Sequence, residues 1–178
     1  MTIELTVAEL AHVTELDLGA SPWRRIEQHR VDTFADATDD HQWIHVDPER
    51  AARGPFGGTI AHGYLTLSMV PTMLKTLLRI KDQARGINYG IEKVRFTAPV
   101  PVGSEIRLAA TVLKPARRDD GGVQYRVALR VEIRGQDRPA MVGECILLTH
   151  AGDRPLCQLQ EVGDDGSLGC AGRGAVPP

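Results

Sequence analysis

The stretch HGYLTLSMVPTMLKTLLRI, residues 62–80, decides the fold. It is rich in leucine and methionine and carries no charged side chain before Lys75. Apolar residues fall on nearly every face of a helix drawn through it, so it reads as a long buried helix covered from more than one side. Pro71 lies inside it and is expected to kink it or make it locally irregular, because proline lacks the N–H of the helical ladder.

What covers such a helix is written downstream. VQYRVALRVEIR, residues 123–134, alternates at period two. Val123, Tyr125, Val127, Leu129, Val131 and Ile133 point one way, and polar residues together with Ala128 point the other. That is the pattern of a half-buried antiparallel strand. RRDDGG joins it to an earlier strand, SEIRLAATVLKPA, and GQDRPA joins it to a later one, MVGECILLTH. YGIEKVRFT supplies one more strand, ended by APVPVG. One buried helix and about four antiparallel strands with an apolar face give an α+β domain whose sheet wraps the helix.

Upstream, TVAELAHV reads as a short helix, with Thr6 as N-cap and Glu9 closing a capping box. RRIEQHRV reads as a short strand. DTFADATDD reads as a helix start capped by Asp32 or Thr33, with Phe34, Ala35 and Ala37 available for burial. In DPERAARG, Asp47 can cap, Pro48 suits the first helical position and Gly54 ends the turn. No internal repeat is visible. Residues 1–155 form one expected domain, and the glycine- and proline-rich residues 156–178 are expected to be a mobile tail.

Composition narrows the function classes. Of 178 residues, 42% are hydrophobic and 25% charged, and the formal net charge is -2. That offers no electrostatic reason for a nucleic-acid or anionic-membrane partner. No apolar run nears the ~20 residues that span a bilayer. The first residues, MTIELTVAELAHV, lack the layout of a signal peptide, so a cytoplasmic location is expected. Three cysteines without a C-x-x-C pair argue against a disulfide framework or a structural zinc site, and Cys145 reads as a buried small hydrophobe.

Chemistry concentrates in TDDHQWIHVDPERAARGPFGGTIAHG, residues 38–63. Asp40 and His45 stand five apart with Ile44 between them. If Ile44 anchors the loop in the core, acid and imidazole can converge on one water. The carboxylate then accepts its hydrogen bond while the imidazole accepts, donates or shuttles a proton. If Gly63 opens the long helix, its free N–H sits at the positive end of the dipole and can polarise a carbonyl. These are the parts of a hydratase acting beside a carbonyl. Blander readings stand next to each part. Asp40 can simply shape a turn, and His45 and His62 can be core histidines. Tyr64, Leu65, Leu67 and Met69 can be core or tunnel lining, and Ser68 can bond its own backbone. Without a G-x-S-x-G elbow a serine hydrolase is disfavoured, and no histidine spacing matches a zinc helix.

At these residues the sequence resembles the MaoC-like dehydratases, the R-specific enoyl-CoA hydratases. ATDDHQWIHVDPERA is similar to their signature through Asp40, Ile44 and His45. GPFGGTIAHGYLTLSM is similar to its continuation into the central helix, and VRFTAPVPVGSEIR to a later strand and turn. The similarity spans roughly residues 20 to 150. Gln42, Trp43 and Asp39 depart from the family's usual Asn, Pro and Gly, which bears on pocket shape more than on proton chemistry. The resemblance implies a hot-dog fold and a homodimer joined edge to edge. It implies reversible syn hydration of a trans-2-enoyl-CoA to a (3R)-3-hydroxyacyl-CoA in fatty acid metabolism. Asp40, His45 and Gly63 would be catalytic, with Gln42, Trp43, His62, Tyr64 and Ser68 near the substrate. No metal or redox cofactor is implied, and coenzyme A is part of the substrate. A 3-hydroxyacyl-carrier-protein dehydratase uses the same machinery. A thioesterase or a non-catalytic acyl-CoA-binding module would not need the pair.

Overall fold

The computed structural model describes residues 2–152, so the expected tail and the 155/156 boundary lie outside the described residues. The main sheet runs in the order β2 (Glu15–Ala20), β6 (Glu105–Arg117), β7 (Val123–Ile133), β8 (Met141–Ala151), β5 (Gln83–Phe96). A two-residue β3, Arg24–Arg25, also pairs with β6. All of these pairings are antiparallel. The alternation in β7 is realised as expected: Val123, Tyr125, Val127, Leu129, Val131 and Ile133 are all buried. Each such side chain contributes about 1.5–3 kcal/mol by leaving water, which makes this strand the spine of the core.

The apolar stretch at residues 62–80 fills the concave side, but in pieces. It forms α5, Gly63–Ser68, and α6, Val70–Leu74, and then leaves the helix to become β4, Leu78–Ile80. Pro71 occupies the first turn of α6, where its missing N–H is not needed, so the chain restarts a helix there instead of continuing one. β4 pairs in parallel with β1, Ile3–Leu5. Leu65, Met69, Val70, Met73, Leu74 and Leu77 all join the core that the sheet encloses. The arrangement is the hot-dog fold, with its central helix in two short segments.

The N-terminal half shows further differences. Thr6 and Glu9 form the expected capping box at α1, Val7–Leu10. The expected strand RRIEQHRV is strand only at Arg24–Arg25, because α2 starts at Gln28 and runs to Thr38. Its cap position is Glu27, not Asp32 or Thr33. Ala35 is buried and Phe34 half-buried against the core, while Ala37 is exposed. The turn of α2 that carries Val31 is thus held by tertiary burial rather than by a local cap. Asp39 ends the helix in the left-handed region with φ 57°, a conformation aspartate tolerates better than most residues. Asp47 caps α4, Pro48–Ala52, by accepting from the Arg50 N–H at 2.9 Å, as its sequence implies. Cys145 is half-buried, not fully buried, and its apolar surroundings push the thiol pKa up. No helix among the described residues is long and apolar enough to cross a membrane.

Candidate active site

The site is assembled on a short strap, Thr59–Ala61, that runs between two other segments. On one side the Ile60 N–H donates to the Ile44 carbonyl at 3.0 Å. On the other, the Ala61 N–H donates to the Val100 carbonyl at 2.8 Å and the Val102 N–H to the Thr59 carbonyl at 2.9 Å. The strap therefore sets the position of α3, Trp43–Val46, and leads directly into α5.

His45 sits in that single turn and is 7% exposed. Its Nδ1–H donates to the Ile60 carbonyl at 2.7 Å. A carbonyl can only accept, so the neutral ring keeps its free lone pair on Nε2. The backbone carbonyl of His45 accepts from Gln28 Nε2 at 2.8 Å, and Gln28 Oε1 accepts from the Thr59 hydroxyl at 2.6 Å. Gln28 thereby ties α2, α3 and the strap together. Burial lowers the His45 pKa below its ordinary value. The Ile60 carbonyl opposes this, His62 adds to it, and Asp40 opposes it. Ile44, expected in the core, is half-buried and outside it, since the loop is anchored by backbone hydrogen bonds instead.

Asp40 follows the left-handed residue that ends α2, and its side chain is 53% exposed. One ligand atom from each of Asp40, His45 and His62 lies within 4.8 Å of the others. The separation of Asp40 and His45 leaves room for one bridging oxygen in hydrogen-bond reach of both. His62 is 2% exposed. Its Nε2–H donates to the Asp40 backbone carbonyl at 2.9 Å, and its ring stacks on that of His45 at 3.8 Å. These three side chains could be offered to a metal ion. However, one nitrogen of each imidazole is committed to a carbonyl.

Beside His45 lies a cavity of about 260 Å³, walled by His45, Gly63, Thr66, Phe96, Ala98 and Ala140 among others. Gly63 is the first residue of α5, so its amide lacks an intrahelical acceptor. Crowding by Phe96 favours glycine at this position. A Cβ there would lie 2.9 Å from Cγ and Cδ2 of Phe96. Thr66 presents a buried side chain to the cavity and makes a long 3.4 Å hydrogen bond back to the His62 carbonyl.

Of the residues picked from the sequence, the structure brings together Asp40, His45, His62 and Gly63. It does not bring the rest to the cavity wall. Gln42 and Ser68 are exposed, and Tyr64 is 69% exposed, set edge-on to Phe96. Trp43 packs against Gly54 and under the Arg50 guanidinium. His62 is behind His45 rather than in the wall. Residues the sequence did not single out are Gln28, Thr66, Phe96 and Ala140. Phe96 lies within VRFTAPVPVG, so that segment did carry a signal, whereas nothing local marks Gln28 or Ala140.

Comparison with known proteins identifies the family and the fold. Residues 10–132 match the family model described as a MaoC-like domain. The chain is 49% identical over 142 residues to 3-hydroxyacyl-thioester dehydratase Z of Mycobacterium tuberculosis, covering 80% of this chain and 94% of that one. Among solved structures, the (R)-hydratase of A. caviae involved in PHA biosynthesis superposes with a TM-score of 0.63 at 28% identity, covering 76% of this chain and 97% of that one. The R-hydratase PhaJ1 of Pseudomonas aeruginosa shares the fold, with a TM-score of 0.65 at 24% identity over 83% of this chain and 87% of that one.

Proposed function

The chain belongs to the MaoC-like dehydratase family, and from that premise we propose that it is an R-specific enoyl-CoA hydratase. It adds water reversibly to a trans-2-enoyl thioester and yields the (3R)-3-hydroxyacyl thioester. The observation that carries this reading is the meeting of Asp40 and His45 within 4.8 Å, next to a cavity that Gly63 also lines.

The chemistry follows from the donors present. A water held between the two groups gives a proton to the Asp40 carboxylate as its oxygen bonds C3. The C2=C3 electron pair moves toward C2 and the thioester oxygen, where the Gly63 N–H stabilises the developing charge. The proton then passes from Asp40 to the free Nε2 of His45 and on to C2, so one proton leaves water and one arrives at carbon. The lowered His45 pKa suits both halves of this relay. The resting ring is neutral and can accept, and its protonated form is a stronger acid toward C2. No redox cofactor or metal has a step in this scheme, and coenzyme A enters as part of the substrate.

The proposal includes a homodimer. β5 is an edge strand of 14 residues, and Ile87, Tyr89 and Ile91 on it are 38%, 56% and 52% exposed. A long apolar edge of this kind calls for a partner, and a second copy joined edge to edge supplies one. A cytoplasmic setting fits a soluble thioester substrate.

The test is the loss of crotonyl-CoA absorbance with wild type, Asp40→Asn and His45→Gln, followed by chiral analysis of the product. Wild-type turnover to the (3R) product, with each variant about 100-fold or more slower, is expected. Equal rates for the three proteins, or thiol release in place of hydration, would remove the reading. Relative rates on CoA and carrier-protein thioesters decide which carrier the site prefers.

A further inference from the structure

We propose that His62 is a positioning residue, which holds Asp40 through its backbone carbonyl and His45 through its ring face so that acid and imidazole stay in register. This rests on the hydratase reading of the site. His62 touches neither the cavity wall nor, in that reading, the reacting atoms. Its place is one layer behind.

Three observations converge on it. Asp40 stands at the exposed end of α2, just past the left-handed Asp39. The neighbouring His41 side chain turns outward to Asp36 at 2.9 Å. The His62 Nε2–H bond to the Asp40 carbonyl, 22 residues away in sequence, ties this turn to the residue that caps α5. The His62 ring also packs against two others, with His45 stacked on it at 3.8 Å and 28° and Phe34 tilted against it at 5.0 Å. Rotation of the His45 ring about its Nδ1–H bond to Ile60 is thereby blocked on one face. Finally, the His62 Nδ1 is buried with no hydrogen-bond partner among the described residues. An unpaired buried nitrogen costs stability. A side chain needed only to fill space would avoid that cost, since phenylalanine has nearly the same outline.

The charged and titratable groups that face His62 are the Asp40 carboxylate, 4.0 Å from Nε2, and the His45 ring; from α2 it meets the uncharged Phe34. Burial is the main cause of the depressed His45 pKa, and the neighbouring His62 adds to it.

The experiment observes His45 directly. The Cε1–H resonance of its ring is recorded by NMR in the full-length wild type, His62→Phe and His62→Gln, beside kcat, KM and the melting temperature. His62→Phe keeps the stack and removes the donor, so the Asp40 backbone is released while the His45 ring stays packed. Its His45 resonance stays single, and kcat falls about 10- to 100-fold while KM stays within about threefold, as expected for misplacement near 1 Å. His62→Gln keeps a flat donor for the Asp40 carbonyl and removes the stacked ring. Its His45 resonance broadens or splits, and kcat falls by a similar factor. Wild-type kcat in either variant, or one sharp His45 resonance in His62→Gln, would overturn the proposal. If His62→Phe does not fold, His62→Gln decides alone: a broadened His45 resonance with a lowered kcat supports the role, and a single sharp resonance or a retained kcat ends it. A wild type without hydratase turnover removes the reading of the site, and the His45 resonance in His62→Gln still decides the part of His62.

Discussion

Gly63→Ala isolates the crowding at the start of α5. The added Cβ would meet Cγ and Cδ2 of Phe96 at 2.9 Å and Cδ1 at 3.1 Å. Ordinary carbon contacts lie at about 3.5–4.0 Å, so the whole ring face must retreat by roughly 0.6–1 Å or push the helix start back. Overpacking of this size costs about 1–3 kcal/mol in a closed core. Phe96 is 46% exposed and can swing toward solvent, which puts the cost at the lower end of that range. Alanine regains up to about 1 kcal/mol of helix propensity. The net loss of stability is therefore about 1 kcal/mol or less, a few degrees in Tm for a chain of this length. Activity should suffer more. Moving the Gly63 amide weakens the donor that meets the thioester oxygen, and loss of such a donor is worth about 100- to 1000-fold. A displaced rather than deleted amide should cost about 10- to 100-fold in kcat/KM for crotonyl-CoA. Phe96→Ala, combined with Gly63→Ala, removes the obstruction and should recover most of that loss, giving a coupling of about 1–2 kcal/mol in a double-mutant cycle. Wild-type kcat/KM in Gly63→Ala, or the same loss with and without Phe96, would refute the reasoning.

Three further outcomes are expected. The acid limb of kcat/KM should lie below the ordinary histidine value of 6.5 and disappear in His45→Gln, because burial lowers the His45 pKa. The same shift makes the unfolded chain bind more protons below pH 6.5, so this contribution to stability is complete above that pH and is lost as pH falls through the window beneath it; urea titrations at several pH values check it. Gln28→Ala removes the hydrogen bonds to the His45 carbonyl and from Thr59, and should cost about 1–3 kcal/mol by denaturant titration together with a lower kcat. Ile91→Asp places a charge on the exposed β5 edge and should shift the protein from dimer to monomer in sedimentation or light scattering, with little change in the core.

The sheet was legible because its signal is local. Alternation in residues 123–133 sorts side chains onto two faces whatever the rest of the chain does, and a turn sequence at each end fixes the strand's length. The helix at residues 62–80 was legible as buried and as interrupted near Pro71, but not as giving way to a strand at Leu78. Composition reports the hydrophobicity of Leu77 and Leu78 without reporting whether they are on a helix or a strand. It is pairing with Ile3, from the far end of the sequence, that turns Leu78 into β4. The start of α2 was missed for a similar reason. No capping side chain marks Glu27, and Val31 is helical because the core takes it up.

The same distinction separates the legible and illegible parts of the site. Asp40 and His45 lie on one short loop, so their spacing alone limits how far apart they can be, and Gly63 is marked by the helix it opens. The cavity wall has no such mark. Ala140 contributes because its carbonyl accepts from the Thr97 N–H at 2.8 Å and its own N–H donates to the Val131 carbonyl at 2.8 Å, contacts that join the residue after β5 and the residue before β8 to β7. An alanine in a turn sequence says nothing about that. His62 is intermediate. Its neighbour Gly63 drew attention to it, yet its hydrogen bond reaches back to Asp40 across 22 residues, and only the docking of α5 beside the end of α2 brings them together. Residues that perform chemistry are therefore found by their type and spacing, while residues that hold them in place are found only by the fold. The second kind is where variants of this chain should lose turnover without losing any group that meets the substrate.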